Sequence, residues 1–391
     1  MSDSSSADYP QKIRKHFNNV FGQTPMLIRS PGRVNLIGEH TDYNMGYVLP
    51  ASIDKAIYLA IQKRDDQKIH LLSVDYNDSY EGSLQNLVPS GKLWPDYILG
   101  VVEQMLKSGV KLSGFNIAFG GDIPIGAGLS SSAALECATG FALNELFNCG
   151  ISKLEIVKMG QAAENQFVGV NCGIMDQFAS VFGQEKKLIR LDCQSLEHRY
   201  IPFDDTDINI VLFNSQVKHS LASSAYNDRR AQCEKGVAII QKHHPEVKSL
   251  RDATEQMLLD YIKPLDAETY KRCYYVVTEI KRLLDGCDDM ENNDLKSFGK
   301  RMFETHAGLR DLYEVSCAEL DHLVDLVSGN PDVLGSRMMG GGFGGCTINL
   351  IKKDAVDKIV REVTAGYKKL TGKDVQTYIA KIGNGTSVMK E

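Results

Sequence analysis

The stretch Gly32-Arg33-Val34-Asn35-Leu36-Ile37-Gly38-Glu39-His40-Thr41-Asp42-Tyr43 sets one arginine, one histidine and two carboxylates in an otherwise mostly apolar run. Carboxylates accept hydrogen bonds from hydroxyls in pairs, which is what a polyol ligand needs. Arginine adds a permanent charge and planar donors suited to a phosphoryl oxygen. The same residues also fit a turn closed by an arginine–carboxylate ion pair. His40 taken alone reads more readily as a hydrogen-bonded structural histidine than as a base.

Downstream, Pro124-Ile125-Gly126-Ala127-Gly128-Leu129-Ser130-Ser131-Ser132-Ala133 lies between a predicted strand and a predicted helix. Glycines let a backbone approach a ligand, and the helix start offers unpaired N–H groups to an anion. The Gly-Lys-Ser/Thr ending of a Walker A loop is missing, so this is a different phosphate loop or a tight turn with serine caps. Near the C-terminus, Met338-Met339-Gly340-Gly341-Gly342-Phe343-Gly344-Gly345-Cys346 runs straight into a predicted strand. Glycines at that density weaken a strand and favour close backbone approach to a ligand over a linker role. Between these motifs, Glu164 sits on a helix rich in small residues, and Asp176 follows Gly173-Ile174-Met175. A carboxylate in apolar surroundings is paired or functional, and Asp176 also suits a helix N-cap.

Working outward, residues 10–21 read as a helix and Met26 to Arg29 as a strand ending at Ser30-Pro31-Gly32. Val48 to Ile53, Ala56 to Gln62 and Lys68 to Asp75 read as short strands separated by polar turns. Asp96 to Ser108 and Ala133 to Phe147 read as helices, with a strand over Gly114 to Phe119 between them. Asn209 to Phe213 is a buried strand, and most of 222–327 is helical. Strands return at 346–351 and 377–381, with a helix between them. This order predicts α+β layers rather than regular βαβ alternation.

The chain has 391 residues, too many for one ordinary core, so two domains are expected, 10–190 and 191–391. With 43% hydrophobic and 24% charged residues it is an ordinary globular composition. A net charge of −6 argues against nucleic-acid or anionic-membrane partners. Nine cysteines without a CxxC spacing indicate reduced thiols in a cytoplasmic protein. The polar Met1 to Asp8 reads as a frayed tail, and no apolar run approaches the ~20 residues of a membrane span.

In this order and spacing the three motifs resemble the three signatures of the GHMP kinase superfamily, and the first resembles its galactokinase signature. The resemblance runs from about residue 10 to the C-terminus. It includes Asn165-Gln166-Phe167-Val168-Gly169 and Ser223-Ser224-Ala225-Tyr226-Asn227-Asp228-Arg229-Arg230. It implies a two-domain α+β fold, mixed β-sheets with helices, and an active site in the interdomain cleft. It also implies ATP-dependent phosphorylation of α-D-galactose at the anomeric hydroxyl.

By that resemblance Gly126, Ala127, Gly128, Leu129, Ser130, Ser131 and Ser132 form the ATP phosphate loop. Ser132 and Glu164 become Mg²⁺ ligands, while Glu39, His40, Thr41, Asp42, Gly173 and Tyr226 contact the sugar. Asp176 matches the general base and Arg33 the transition-state arginine. The implied partners are galactose and ATP, the expected assembly is a monomer, and no residue is singled out for adenine. Two alternatives share the fold: an N-acetylgalactosamine kinase, and a non-catalytic sugar and ATP sensor. Sensors lose phosphate-loop residues, whereas Ser130-Ser131-Ser132-Ala133 and Asp176 are present here. Tyr275 departs from the family, which often carries histidine there, and this places only local packing in question.

Overall fold

A computed structural model describes residues 8–124, 126–203, 206–217 and 222–390. Ile125 and the predicted tail as far as Ala7 lie outside the described residues, and so do the side chains of Ser223 and Ser224. The chain opens with α1 (Tyr9–Phe21), β1 (Met26–Asn35), β2 (Tyr47–Val48), β3 (Pro50–Lys63), β4 (Lys68–Ser73) and β5 (Asp78–Ser83). There follow α2 (Leu93–Lys107), β6 (Phe115–Gly121), α3 (Ser131–Phe147), α4 (Lys153–Ala163) and α5 (Met175–Phe182). Strands β7 (Lys187–Asp192), β8 (His198–Pro202) and β9 (Ile208–Asn214) lead into a helical stretch. That stretch is α6 (Ala222–Gln241), α7 (Glu255–Met257), α8 (Ala267–Glu291), α9 (Leu295–Asp311) and α10 (Ala318–Asp325). The chain closes with β10 (Val333–Met338), β11 (Cys346–Lys352), α11 (Val356–Thr371), β12 (Gln376–Ala380) and β13 (Ser387–Val388).

Six strands form one sheet in the order β13-β1-β3-β6-β4-β5, and four form a second, β10-β11-β9-β12. A third sheet joins β2, β7 and β8. The predicted α+β layering is therefore present. Helix α3 packs on β1 and β3, and Ala133, Ala134, Cys137, Ala138 and Gly140 along it are all buried. A helix that is apolar all round must be enclosed on every side, and α2, α4 and α5 supply the remaining cover.

Two strand boundaries differ from the sequence reading. β1 does not stop at Ser30-Pro31-Gly32 but continues to Asn35, with a register shift between Pro31 and Arg33. A bulge lets a proline sit in the strand and re-aims the residue after it, here Arg33. The two short strands expected at 48–53 and 56–62 are one, β3. The polar Asp54-Lys55 pair is no turn. Asp54 exchanges hydrogen bonds with Lys381, far away in sequence, so its side chain caps a strand crossing rather than a loop. Among the described residues no helix is long and apolar enough to cross a membrane.

Candidate active site

The bulge in β1 brings the first motif against the glycine/serine loop. A Cβ on Gly32 would stand 2.6 Å from the Leu129 carbonyl oxygen, so the approach needs a glycine. Arg33, next along, is buried. Its Nε and Nη2 donate to Asp176 Oδ1 and Oδ2 at 2.8 and 3.0 Å, and its Nη1 to the Gly128 carbonyl at 2.6 Å. Such a two-pronged pair fixes both planes. Ser130, held at φ 58°, donates its hydroxyl to Asp176 Oδ2 from the other side. Two separate segments thus converge on one carboxylate, which a third, the first turn of α5, supplies.

Beside it lies a cavity of about 160 Å³ lined by Arg33, Glu39, His40, Asp42, Glu164, Cys172, Gly173, Asp176, Tyr226, Gly340 and Gly341, among others. Glu39 Oε1 accepts from both terminal nitrogens of Arg337 at 3.1 Å and from the Gly340 N–H at 2.8 Å. The third glycine motif is therefore pinned to the first motif through one oxygen. His40 is equally tied in. Gly341 O can only accept, so His40 Nε2 donates to it at 3.2 Å and Nδ1 accepts from Tyr43 Oη at 2.7 Å. Gly173 packs on Asp42: a Cβ there would lie 1.9 Å from Oδ2. Thr41 is not in the lining. Its hydroxyl donates to the carbonyls of Gly38 and Tyr47 and closes the turn.

Glu164 begins a π-helical turn at the end of α4, a wide turn that often marks a functional position. Its Oε2 accepts from Gln177 Nε2 at 3.0 Å, and Ser132 hydrogen-bonds to the same carboxylate. Among the described residues no group of three or more His, Cys, Asp or Glu could hold a metal unaided. Two oxygen donors beside the glycine/serine loop fit Mg²⁺, a hard cation commonly held through only one or two protein oxygens.

A second cavity of about 380 Å³ opens on the far side of the loop, sharing Ser131 and Ser132 with it. Trp94, Tyr97, Phe119 and Leu135 supply apolar walls, and Ser73 contributes a buried hydroxyl with no hydrogen-bond partner. These residues escaped the sequence reading. They come from four separate elements, and only the chain's single tryptophan was a signal that could have been followed.

Residues 15–63 match the galactokinase galactose-binding signature, 96–184 the GHMP kinases N terminal domain and 287–369 the GHMP kinases C terminal. A galactokinase from Fusobacterium nucleatum is 40% identical, over 97% of this chain and 100% of its own. The chain belongs to the galactokinase family. The crystal structure of Lactococcus lactis galactokinase complexed with galactose, 36% identical, superposes with a TM-score of 0.93 over 97% of this chain and 99% of that one. The Methanococcus jannaschii mevalonate kinase, 20% identical, matches the fold with a TM-score of 0.66 over 92% of this chain and 99% of its own.

Electrostatics sort the ionisable groups of this galactokinase-family site. Burial pushes the Asp42 carboxyl up to about 6, with the Asp176 charge adding to it, while the backbone N–H groups of Tyr43 and Met175 pull the other way. Burial and Asp176 likewise push Glu164 up to about 7. His40 is driven down to about 4 by burial, so it stands neutral in the cavity wall. A neutral imidazole with both nitrogens engaged orients its neighbours and takes up no proton, which is the structural reading of His40. Tyr275 reaches further than local packing: its hydroxyl donates to the Glu39 carbonyl at 3.1 Å and its ring lies on Tyr313.

Proposed function

We propose that this chain transfers the γ-phosphoryl group of ATP to the anomeric hydroxyl of α-D-galactose, giving galactose 1-phosphate and ADP. The observation that carries this reading is Asp176, gripped by Arg33 and Ser130 where the sugar-sized cavity meets the phosphate loop. Glu39, Asp42, His40 and Tyr226 line the sugar side and Gly173 makes room for Asp42, with Thr41 holding their turn. Gly126 to Ser132 cradle the phosphates, and the aromatic cavity beyond takes the adenine.

Phosphoryl transfer depends mainly on alignment and charge neutralisation. Asp176 keeps lone pairs on Oδ1 beyond the one given to Arg33, so it accepts the O1 proton as O1 bonds to the γ-phosphorus and the bond to the β-phosphate oxygen breaks. Arg33, held in place by Asp176 and Gly128, offsets charge on the phosphoryl oxygens. Ser132 and Glu164 would hold Mg²⁺, which when bound neutralises charge on the β- and γ-phosphates.

Coupled ADP release with galactose, glucose and N-acetylgalactosamine tests the reading. Release with galactose far above the other two is expected. Equal or faster release with N-acetylgalactosamine would reassign the substrate, and no release with any sugar would make the protein a sensor.

A further inference from the structure

Gln177 follows Asp176 on α5, and its side chain is fully buried. One nitrogen, Nε2, donates to Glu136 Oε2 at 2.9 Å and to Glu164 Oε2 at 3.0 Å. An amide nitrogen carries two hydrogens, so both are spent on carboxylates from different elements. Glu136 belongs to α3, one turn beyond Ser132, and Glu164 to the turn ending α4. Gly160 leaves space for the junction, since a Cβ there would stand 3.1 Å from Gln177 Cγ and 3.5 Å from Glu136 Cβ.

Nothing in the packing asks for this cluster. Glu136 Oε1 and Gln177 Oε1 are buried without a hydrogen-bond partner, which an apolar core would avoid at no cost. Groups of this kind are retained where they orient something else, and Glu164, which Gln177 bonds directly, lines the first cavity, as does Cys172, whose Sγ lies 4.0 Å from the same Nε2.

We propose that Gln177 is a positioning residue: anchored on Glu136, its amide aims the Glu164 carboxylate at the metal-nucleotide site. Consecutive residues of α5 then set the base, Asp176, and the metal ligand together. This rests on the reading of Glu164 given above.

The test is Mn²⁺ binding in the presence of a non-hydrolysable ATP analogue, read by electron paramagnetic resonance, with galactose binding measured separately by calorimetry. Gln177→Met should weaken Mn²⁺ about tenfold, the usual scale for a group behind a metal ligand. Galactose affinity without nucleotide should stay within about twofold. In the Glu164→Gln background the same change should cost nothing further, because the carboxylate it positions is gone. An equal loss in both backgrounds, or a parallel fall in galactose affinity, would overturn the proposal and leave Gln177 a packing residue. Glu136→Leu, which removes the anchor of the Gln177 amide, gives a second arm. It should weaken Mn²⁺ several-fold, and unchanged binding overturns the proposal even if Gln177→Met fails to fold. Wild-type ADP release with galactose is assayed beside these. Its absence would sink the kinase reading alone.

Discussion

Asp42 is a carboxylate placed where water scarcely reaches, with Glu39, Asp176 and Arg33 as its charged neighbours. Its folded pKa is raised from 3.8 to about 6. Stability tied to the neutral form is fully present below 3.8 and is lost as pH rises through 6. A shift of that size corresponds to about 3 kcal/mol of destabilisation at neutral pH. Asp42→Asn should therefore gain stability relative to wild type as pH goes from 4 to 7, by at most that amount. Chemical denaturation of both proteins at the two pH values checks it, and a difference that does not move with pH would remove the burial argument. We propose further that Asp42 accepts from the axial 4-hydroxyl of galactose; Asp42→Ala should then collapse the preference for galactose over glucose in kcat/KM, and equal slowing of both sugars would leave Asp42 a loop-holding residue. Asp176→Asn is the companion at the reacting end. It should cut kcat by ~10²-fold or more with both substrates still bound, and near-normal turnover would mean that no base is needed.

The elements that carry these residues are short and interlocked. The α5 helix has eight residues and presents Asp176, Gln177 and Ser180 to three different surroundings. The chain just before it must pass Asp42 without a side chain, at Gly173. Gly173→Ala should displace the Asp42 carboxylate and weaken galactose about tenfold or more, while ATP affinity stays within threefold, because the glycine/serine loop proposed to hold the phosphates lies on another segment. Calorimetry with each ligand separates the cases. Equal losses for both would mean that the whole segment, α5 included, has moved. On the opposite wall, Glu39 and His40 bond the Gly340 N–H and the Gly341 carbonyl of the glycine loop at 340–345, while Phe343 packs on the second hydrophobic cluster.

At the scale of the molecule the two halves share one core. Ile28, Leu36 and Leu59 lie in a single cluster with Leu283, Phe298 and Ile348. The end of the chain returns to the first sheet, where β13 pairs with β1 and Thr386 bonds to Ser30 and Ser180. We take 10–190 and 191–391 as structural halves that melt together. Calorimetry should show one cooperative transition, and two separated peaks would mean independent domains. Galactose at a hundred times its Kd should add about 2.7 kcal/mol, raising Tm by roughly 3 °C for a chain of this length.

Gly32, Gly126, Gly128 and Gly340 to Gly345 marked in the sequence where backbone meets backbone or ligand, because a missing Cβ is a local fact. The helices read at 10–21 and 133–147 were equally legible, the first from its helical spacing and the second from a long apolar run after the glycine/serine loop, because such patterns act within a few residues. Glu39, Asp42, Arg33 and Asp176 could be named as candidates, yet their partners could not. Arg337 reaches Glu39 from nearly 300 residues away, and Arg33 chooses Asp176 over the carboxylates beside it in sequence. The continuity of β3 through Asp54, the return of β13, the aromatic cavity around Trp94 and the bridge at Gln177 share that character. Each depends on which faces of distant elements are brought together. Those contacts are settled by the packing of the whole core, since no periodicity or turn chemistry along the chain encodes them.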